Sequence, residues 1–568
     1  MNVVVLFLAN MLIMVTIVIY FINSISNEHV SLLSKVLNTY FWFVSFFSLA
    51  LLPLEVGLTL SGSKEDDGMY YLWIVQYWVN MFNGQVFLAF ILVYINSGHY
   101  IRSKKIRSSF FSVGIRLIIK IILLAIGTGL IFFICDIFKI RQSFEELKTG
   151  AFKLLNTFYY LLFVCALSFG LINVPLKQFR IRNLQKYRHW LITSLYYHRS
   201  RVAATQQEIK DYIDLSNDLL KVTADQALKE HIYAIQDEGN RCQVFHLANQ
   251  PPNRESFDQT IFQHRFRITE DILVKFLSKI KSLNFKNQFN RGRYFTYLIE
   301  YYFYTDIQNQ LKNSASLSTR VDSLQCKAGW IYSPYRDWYF KRVRRPFLNF
   351  LAFSFLSMSI MLIIFEFCMI YDMKILRIVL DKLPLSGPWL WVGVYGLVVP
   401  LLLFLVFCVY NFLYHIYWFD TFGIRPNQMS EERSIFSCAS ILSYFSGSFC
   451  KYFLGLVLTE EEITKSTNYA RALTNLDFIK IDGQDVVYYF HIIIVIVAIL
   501  MFFSIFEHTL SIMSFKNFKT KKPLSPTEIA EQEALLEHYS DDNLDQIRHY
   551  YHILSLNNEN YDSYLRYS

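Results

Sequence analysis

The chain has 568 residues, of which 53% are apolar and only 18% charged, and its mean hydropathy is +0.27. A soluble globular protein carries nearer a quarter charged residues, so this composition excludes one and indicates a chain built into a membrane. The net charge of +9 gathers at the predicted membrane edges, which reads as topology and not as nucleic-acid affinity, and the eight cysteines show neither a CxxC pair nor a metal-ligand spacing.

Nine stretches reach the ~20 mostly apolar residues that a spanning helix needs. The first, 3–22, lacks a basic lead and a small-residue cleavage site, so it reads as a retained span and not as a removed signal. Spans follow at 37–60, 71–95, 113–138 and 152–174. After a long polar interruption come 347–371, 389–414, 435–458 and 486–513. The third and the eighth are the weakest, because both hold several polar residues. The fold class expected is therefore an all-α polytopic membrane protein, with a five-helix membrane block over 1–176 and a four-helix block over 346–513.

The interruption, 177–345, begins at Lys177, Arg180 and Arg182 and ends at Lys341, Arg342, Arg344 and Arg345. Basic flanks mark the cytoplasmic side of a span, so a central cytosolic helical domain is expected here. Ser61 to Asp67 is acidic, Arg102 to Arg107 basic, Glu460 to Glu462 acidic and Lys516 to Lys522 basic, while the loop after span four mixes Lys139 and Arg141 with Glu145 and Glu146. The N-terminus is then outside or lumenal and the C-terminus cytosolic, in the plasma or an endolysosomal membrane. Within the domain, Leu184, Leu191, Leu195, Val202, Ile209, Ile213, Ile232 and Ile235 recur at helical spacing and predict a long, coiled-coil-like helix. Glu238, Gly239 and Asn240 are expected to stop it, Pro251 and Pro252 to open a loop, and two more helices to lie around 268–283 and 293–311.

The tail, 514–568, reads as cytosolic and partly helical. Glu531, Leu535 and Leu536 match the acidic dileucine pattern that clathrin adaptors take up as an extended peptide. Tyr550 and Tyr551 each open a tyrosine-based sorting pattern.

No nucleotide loop, HExxH, Gly-x-Ser-x-Gly or paired-acid motif occurs in a convincing context, so no enzyme, cofactor or metal is expected. What remains is the set of polar residues inside spans, which are costly in lipid and face a cavity or a partner. Glu55 lies near the outer end of span two, Glu366 in the outer half of span six and His491 near the outer end of span nine. Arg116 and Lys120 lie one turn apart near the inner end of span four, and Asn80, Asn83 and Gln85 make span three polar. One reading is an outward-opening polar cavity with Glu55 and Glu366 among its ligand contacts. The other is hydrogen bonding between helices, with Arg116 and Lys120 snorkelling to the interface.

Local text then carries a resemblance. Leu52-Pro53-Leu54-Glu55-Val56 in span two, Gln76-Tyr77-Trp78 in span three and Gly170 to Pro175 ending span five are part of it. Arg336 to Phe340, Arg345-Pro346 with Glu366 beyond, and Cys450 to Leu456 in span eight complete it. With five spans, a polar helical domain and four more, the chain resembles the limb-region-like, or lipocalin-interacting membrane receptor-like, family, in its limb-region domain-containing protein two branch. The resemblance implies architecture and a broad role: a receptor-like or receptor-associated regulator of signalling or trafficking, with no catalytic residues to carry over. The partners it implies are the lipid bilayer, a membrane receptor or transporter, and cytosolic trafficking adaptors. A transporter or lipid-handling protein using the polar spans is the alternative, against which the sequence shows no internal repeat.

Overall fold

A computed structural model of the chain describes residues 3–26, 30–62, 67–99, 101–137, 144–223, 225–243, 269–313, 339–371, 373–382, 388–415, 423–424, 430–473, 480–481, 484–485, 487–502 and 524–547. The expected loop at Pro251 and Pro252, the tyrosine patterns at Tyr550 and Tyr551, the basic run Lys516 to Lys522 and the end of the ninth expected span lie outside these residues.

Among the described residues the chain is helical, apart from a two-residue antiparallel pair in which Lys480 faces Asp485 and Ile481 faces Gln484. The helices are α1 (Val3–Ile25), α2 (Leu32–Leu60), α3 (Asp67–Asn96), α4 (Arg102–Ile137), α5 (Phe144–Arg182), α6 (Leu184–Val222), α7 (Gln226–Gln243) and α8 (Glu270–Asn313). They continue with α9 (Arg344–Met369), α10 (Ile375–Lys382), α11 (Pro388–His415), α12 (Glu432–Val457), α13 (Glu460–Ser466), α14 (Asn468–Leu473), α15 (Val487–Phe502) and α16 (Pro526–His538). Seven of them, α1 to α5, α9 and α11, are long and apolar enough to cross a bilayer. The other two expected spans differ. α12 has 26 residues, ample length at about 1.5 Å each, but a serine-rich face lowers its hydropathy. α15 is strongly apolar, and the described part has 16 residues.

That serine face explains why a polar helix sits at the centre of the array. Ser34 Oγ donates to Glu432 Oε1 at 2.6 Å, the Ser45 and Ser443 hydroxyls meet at 3.0 Å, and those of Ser48 and Ser446 at 2.8 Å. All three pairs are separated by 398 residues, so α2 and α12 run parallel and in register. Asn80 Nδ2 of α3 donates to the same Ser446 hydroxyl at 3.1 Å, and Gln76 Nε2 donates to the Val44 carbonyl at 2.6 Å. The two weak spans of the sequence are thus polar toward each other and toward α2. Small and hydroxyl residues allow this close packing where lipid offers no hydrophobic drive between helices.

α3 carries a π turn at Asn83–Phe87. Such a turn frees a backbone carbonyl, which must be satisfied inside a membrane. Tyr444 of α12 donates its hydroxyl to the Gly84 carbonyl at 2.9 Å, and the Tyr444 and Tyr159 rings stack with centroids 4.6 Å apart. α5 crosses α11 at Gly170, where a Cβ would stand 2.3 Å from the Cys408 carbonyl oxygen, so only hydrogen fits.

Beyond the spans, α6, α7 and α8 form a bundle with two apolar layers. Tyr187, Leu191, Leu195, Leu298, Tyr302 and Ile307 form one. Ile209, Ile213, Ile232, Ile235, Leu273 and Ile280 form the other. Asn183 starts α6 directly after α5, its Oδ1 accepting from the Gln185 and Lys186 amides. Three expectations are corrected here. The long helix expected from Leu184 through Ile235 is two, α6 and α7, because the backbone turns extended at Thr223. Gly239 does not stop a helix: α7 runs through it to Gln243, and its missing Cβ makes room for Ile213, which would otherwise lie 2.6 Å away. The two helices expected around 268–283 and 293–311 are a single 44-residue helix, α8. Gly292 is tolerated in its middle, because packing on α6 outweighs the ~1 kcal/mol propensity cost of a glycine. Burial pushes the Glu300 carboxyl in this bundle up from its ordinary range, against the Tyr187 hydroxyl that donates to it at 2.5 Å.

The bundle is tied to the spans at two places. Arg344 Nη2, at the start of α9, donates to the Ile181 carbonyl at the end of α5 at 2.7 Å. Ser278 and Lys281 of α8 donate to the Asn96 and Ser97 carbonyls at the end of α3, at 3.0 and 2.9 Å. Gly98 allows this contact, since its Cβ would lie 1.9 Å from the Val274 carbonyl oxygen. Alongside it, the Lys104 ammonium donating to Glu270 at 2.7 Å holds that carboxyl below the ordinary range.

Candidate functional site

A second buried polar cluster inside the spans lies at the end remote from the bundle. Three helices distant in sequence meet there: α9 near its C-terminus, α12 near its C-terminus and α15 near its N-terminus. Glu366 of α9 is fully buried. Its Oε1 accepts a hydrogen bond from the Tyr452 hydroxyl of α12, and its Oε2 lies 2.6 Å from His491 Nδ1 of α15. Tyr452 and His491 are themselves 2% and 8% exposed, so bulk water does not reach the carboxyl. Aromatic rings seal the group, with Phe163 5.6 Å from the Tyr452 ring and Tyr160 5.1 Å from Phe490. A carboxyl, an imidazole and a phenol in contact can hold or pass a proton. In a sealed shell their immediate effect is to fasten three spans through one acid.

Sequence reasoning picked out Glu366 and His491 separately and missed Tyr452, which appeared there only as text carrying the resemblance. The three are brought together over 86 and 125 residues of chain, so no local spacing could have signalled the cluster.

Glu55, equally buried, is elsewhere. Its Oε2 accepts from Trp73 Nε1 at 2.9 Å, and its Oε1 accepts from the Asn468 and Tyr469 amides at 2.5 and 3.3 Å. Those amides open α14, so the carboxylate caps a helix start, where unsatisfied N–H groups favour negative charge. Nearby, Glu462 closes a capping box with Thr459 and takes a two-pronged ion pair from Arg377, whose Nε lies 2.9 and 3.0 Å from the two oxygens. Glu55 and Glu366 thus have no partner in common, and each carboxyl is held by groups of the chain itself.

Of the other intramembrane residues, Gln85 donates to the Tyr159 hydroxyl at 2.9 Å and accepts from Lys120 Nζ at 2.6 Å. Arg116 is exposed. The dileucine pattern of the tail lies in α16, begun by a capping box of Ser525 and Glu528 with Pro526 at the first turn. This helix docks on the bundle. Leu536 is buried, Tyr302 donates its hydroxyl to the Leu536 carbonyl at 2.8 Å, and Arg188 pairs with Glu533. Leu535 is 42% exposed, and Glu531 faces solvent. The helix therefore splits a pair that adaptors bind together on an extended peptide.

Long apolar helices crossing one another through buried polar contacts define an integral membrane protein of the multi-pass class. The family model described as LMBR1-like membrane protein matches residues 3–506, and the chain belongs to that family. It is similar to the chicken (Gallus gallus) protein named G-protein coupled receptor-associated protein LMBRD2, 20% identical over 542 residues, covering 87% of this chain and 77% of the relative. The human protein of the same name is 20% identical over 470 residues, covering 80% and 66%. A Drosophila pseudoobscura protein named LMBR1 domain-containing protein 2 homolog is 22% identical over 209 residues, 35% and 30% of the two chains. No solved structure matches.

Proposed function

We propose that this chain is a receptor-associated, non-catalytic regulator of signalling or trafficking, with nine spans, the α6–α8 bundle and the tail in the cytosol, and the N-terminus outside or lumenal. The observation that carries the role is the likeness, along most of the chain, to proteins named as associated with G-protein-coupled receptors. The parallel register of α2 and α12 supports the topology, because nine alternating spans give the second and the eighth the same direction. Mutual pairing of the polar groups in α2, α3 and α12 favours this role over transport, which would need such groups along a pathway. The test is co-purification from cells expressing a tagged panel of G-protein-coupled receptors. At least one receptor should co-isolate at near-stoichiometric yield while an unrelated seven-span protein does not. Recovery of no receptor above that control would end the proposal.

Trafficking adaptors enter the same reading through the tail. Release and unwinding of α16 is the step that presents Glu531, Leu535 and Leu536 together, and the plasma or an endolysosomal membrane is where such a signal acts. The two leucines can be separated. Leu535→Ala should raise the surface fraction while hydrogen exchange across 525–547 stays unchanged, because that side chain packs on little. Leu536→Ala should speed exchange there, losing roughly 2–5 kcal/mol of packing. A surface fraction unmoved by Leu535→Ala would remove adaptors from the proposal.

A further inference from the structure

α4 is the most peripheral of the long apolar helices: 6% of its apolar window is buried, against 72% for α2. It nonetheless carries two cations, Arg116 and Lys120, one turn apart on the same exposed face, with Ile119 and Leu123 beside them. Between Arg102 and Asp136 the helix holds no acid. Among the described residues Lys120 has the neutral Gln85 as its acceptor and lies 5.9 Å from the Tyr444 ring centroid, and Arg116 has no hydrogen bond or ion pair.

Their depth follows from the packing of α4 against the second half of α3. Lys105 lies over the Tyr94 ring at 4.0 Å, Phe110 meets Phe90 at 4.4 Å, and Lys120 meets Gln85, so the two helices are antiparallel and Lys120 is level with Gln85. Gln85 is about 11 residues, or roughly 16 Å, from the end of α3 beside the bundle, in a hydrocarbon layer ~30 Å thick. Lys120 therefore sits close to the middle of the bilayer. Its ammonium donates to Gln85. Lipid phosphates at the boundary are farther away than a lysine side chain extends. A Lys or Arg at mid-span is costly in lipid, and such residues characteristically face a partner.

We propose that the face of α4 bearing Arg116 and Lys120 is a docking surface for another protein's membrane-spanning helix that carries an Asp or Glu near its midpoint. The carboxylate would meet Lys120 beside Gln85, with Arg116 as the second cation, and Ile119 and Leu123 would pack against the partner's apolar face. This deepens the receptor-associated reading, on which it rests for its biological partner, though the chemistry can be tested without one.

The experiment places the full chain, fluorescently labelled, in phosphatidylcholine nanodiscs with a labelled polyleucine membrane helix carrying one central Glu, and with the same helix lacking it. Energy transfer should be at least fivefold higher with the Glu helix, fall to the all-leucine level for Lys120→Met, drop partly for Arg116→Met, and survive in Lys120→Arg. Lys120→Glu against a helix carrying Lys should restore association, which keeps the test decisive should Lys120→Met fail to fold. Equal transfer for the two helices, or no change in Lys120→Met, overturns the proposal. So does loss of the Glu-helix signal on adding phosphatidylserine, which would make an anionic lipid the occupant. Co-isolation of a receptor is then compared between the parent and Lys120→Met. A receptor retained by both refutes this surface and leaves the receptor reading standing. A receptor recovered with neither refutes the receptor reading alone.

Discussion

Adding one methyl group at Gly170 should force α5 and α11 apart. A Cβ there would lie 2.3, 2.5 and 2.6 Å from the carbonyl oxygen, carbonyl carbon and Cα of Cys408, all of them backbone atoms that cannot rotate aside. Leu167, Leu171 and Cys408 are fully buried around the crossing, so the displacement would open a tightly filled core. Overpacking of this kind costs typically 1–3 kcal/mol and sometimes more, and the absence of a flexible neighbour puts Gly170→Ala at or above the top of that range. Thermal unfolding in detergent, followed by dye labelling of the buried Cys408, should show a clearly lowered midpoint. Gly396→Ala is the control, because it lies on α11 with nothing within 4 Å of its Cβ position. It should be neutral or slightly stabilising, since alanine favours helix by up to ~1 kcal/mol. Equal midpoints for the two variants would show that the helices do not cross at Gly170.

Glu366→Leu should be the most damaging change in the polar cluster. It removes the acceptor of Tyr452 and the partner of His491 and leaves both polar groups in a shell that water does not enter. Each stranded group costs about 1–3 kcal/mol, while hydrogen bonds between membrane helices average only about 0.6 kcal/mol, so the stranding outweighs the lost bonds. The two together cost roughly 2–6 kcal/mol, less any gain from burying a leucine. Glu366→Gln keeps the shape: its amide oxygen still accepts from Tyr452, and its NH₂ can donate to His491 Nδ1 once the imidazole proton sits on Nε2. Its midpoint should stay near the parent's, and the loss in Glu366→Leu should shrink when Tyr452→Phe and His491→Leu are added, because the stranded groups go with them. Glu366→Leu unfolding at the parent's temperature would mean that this acid does not fasten α9, α12 and α15.

The family and the membrane character were legible in the chain because both rest on local features. A helix in lipid satisfies its own backbone, so about twenty apolar residues announce a span without reference to neighbours, and the text around Pro53, Gln76 and Gly170 lies within single helices. Reading by hydropathy weakens where a span faces other protein. Ser443 and Ser446 lower the hydropathy of α12, yet they are its contacts with α2 and α3. Gly239 and Gly292 have the composition of breakers, and packing on neighbouring helices overrode it.

By itself, then, the sequence determined an all-helical membrane chain, its family, and which polar residues would be costly in lipid. Only the tertiary structure decided what each of those residues meets. It gave Glu366 to Tyr452 and His491, gave Glu55 to Trp73 and the start of α14, and left Lys120 facing lipid with a neutral amide. It also folded Leu535 and Leu536 into a helix with one of the two buried. The reason is that the cost of burying a polar group belongs to the residue, whereas the hydrogen bond that offsets it belongs to a pair, and these pairs form only when helices far apart in the chain pack side by side.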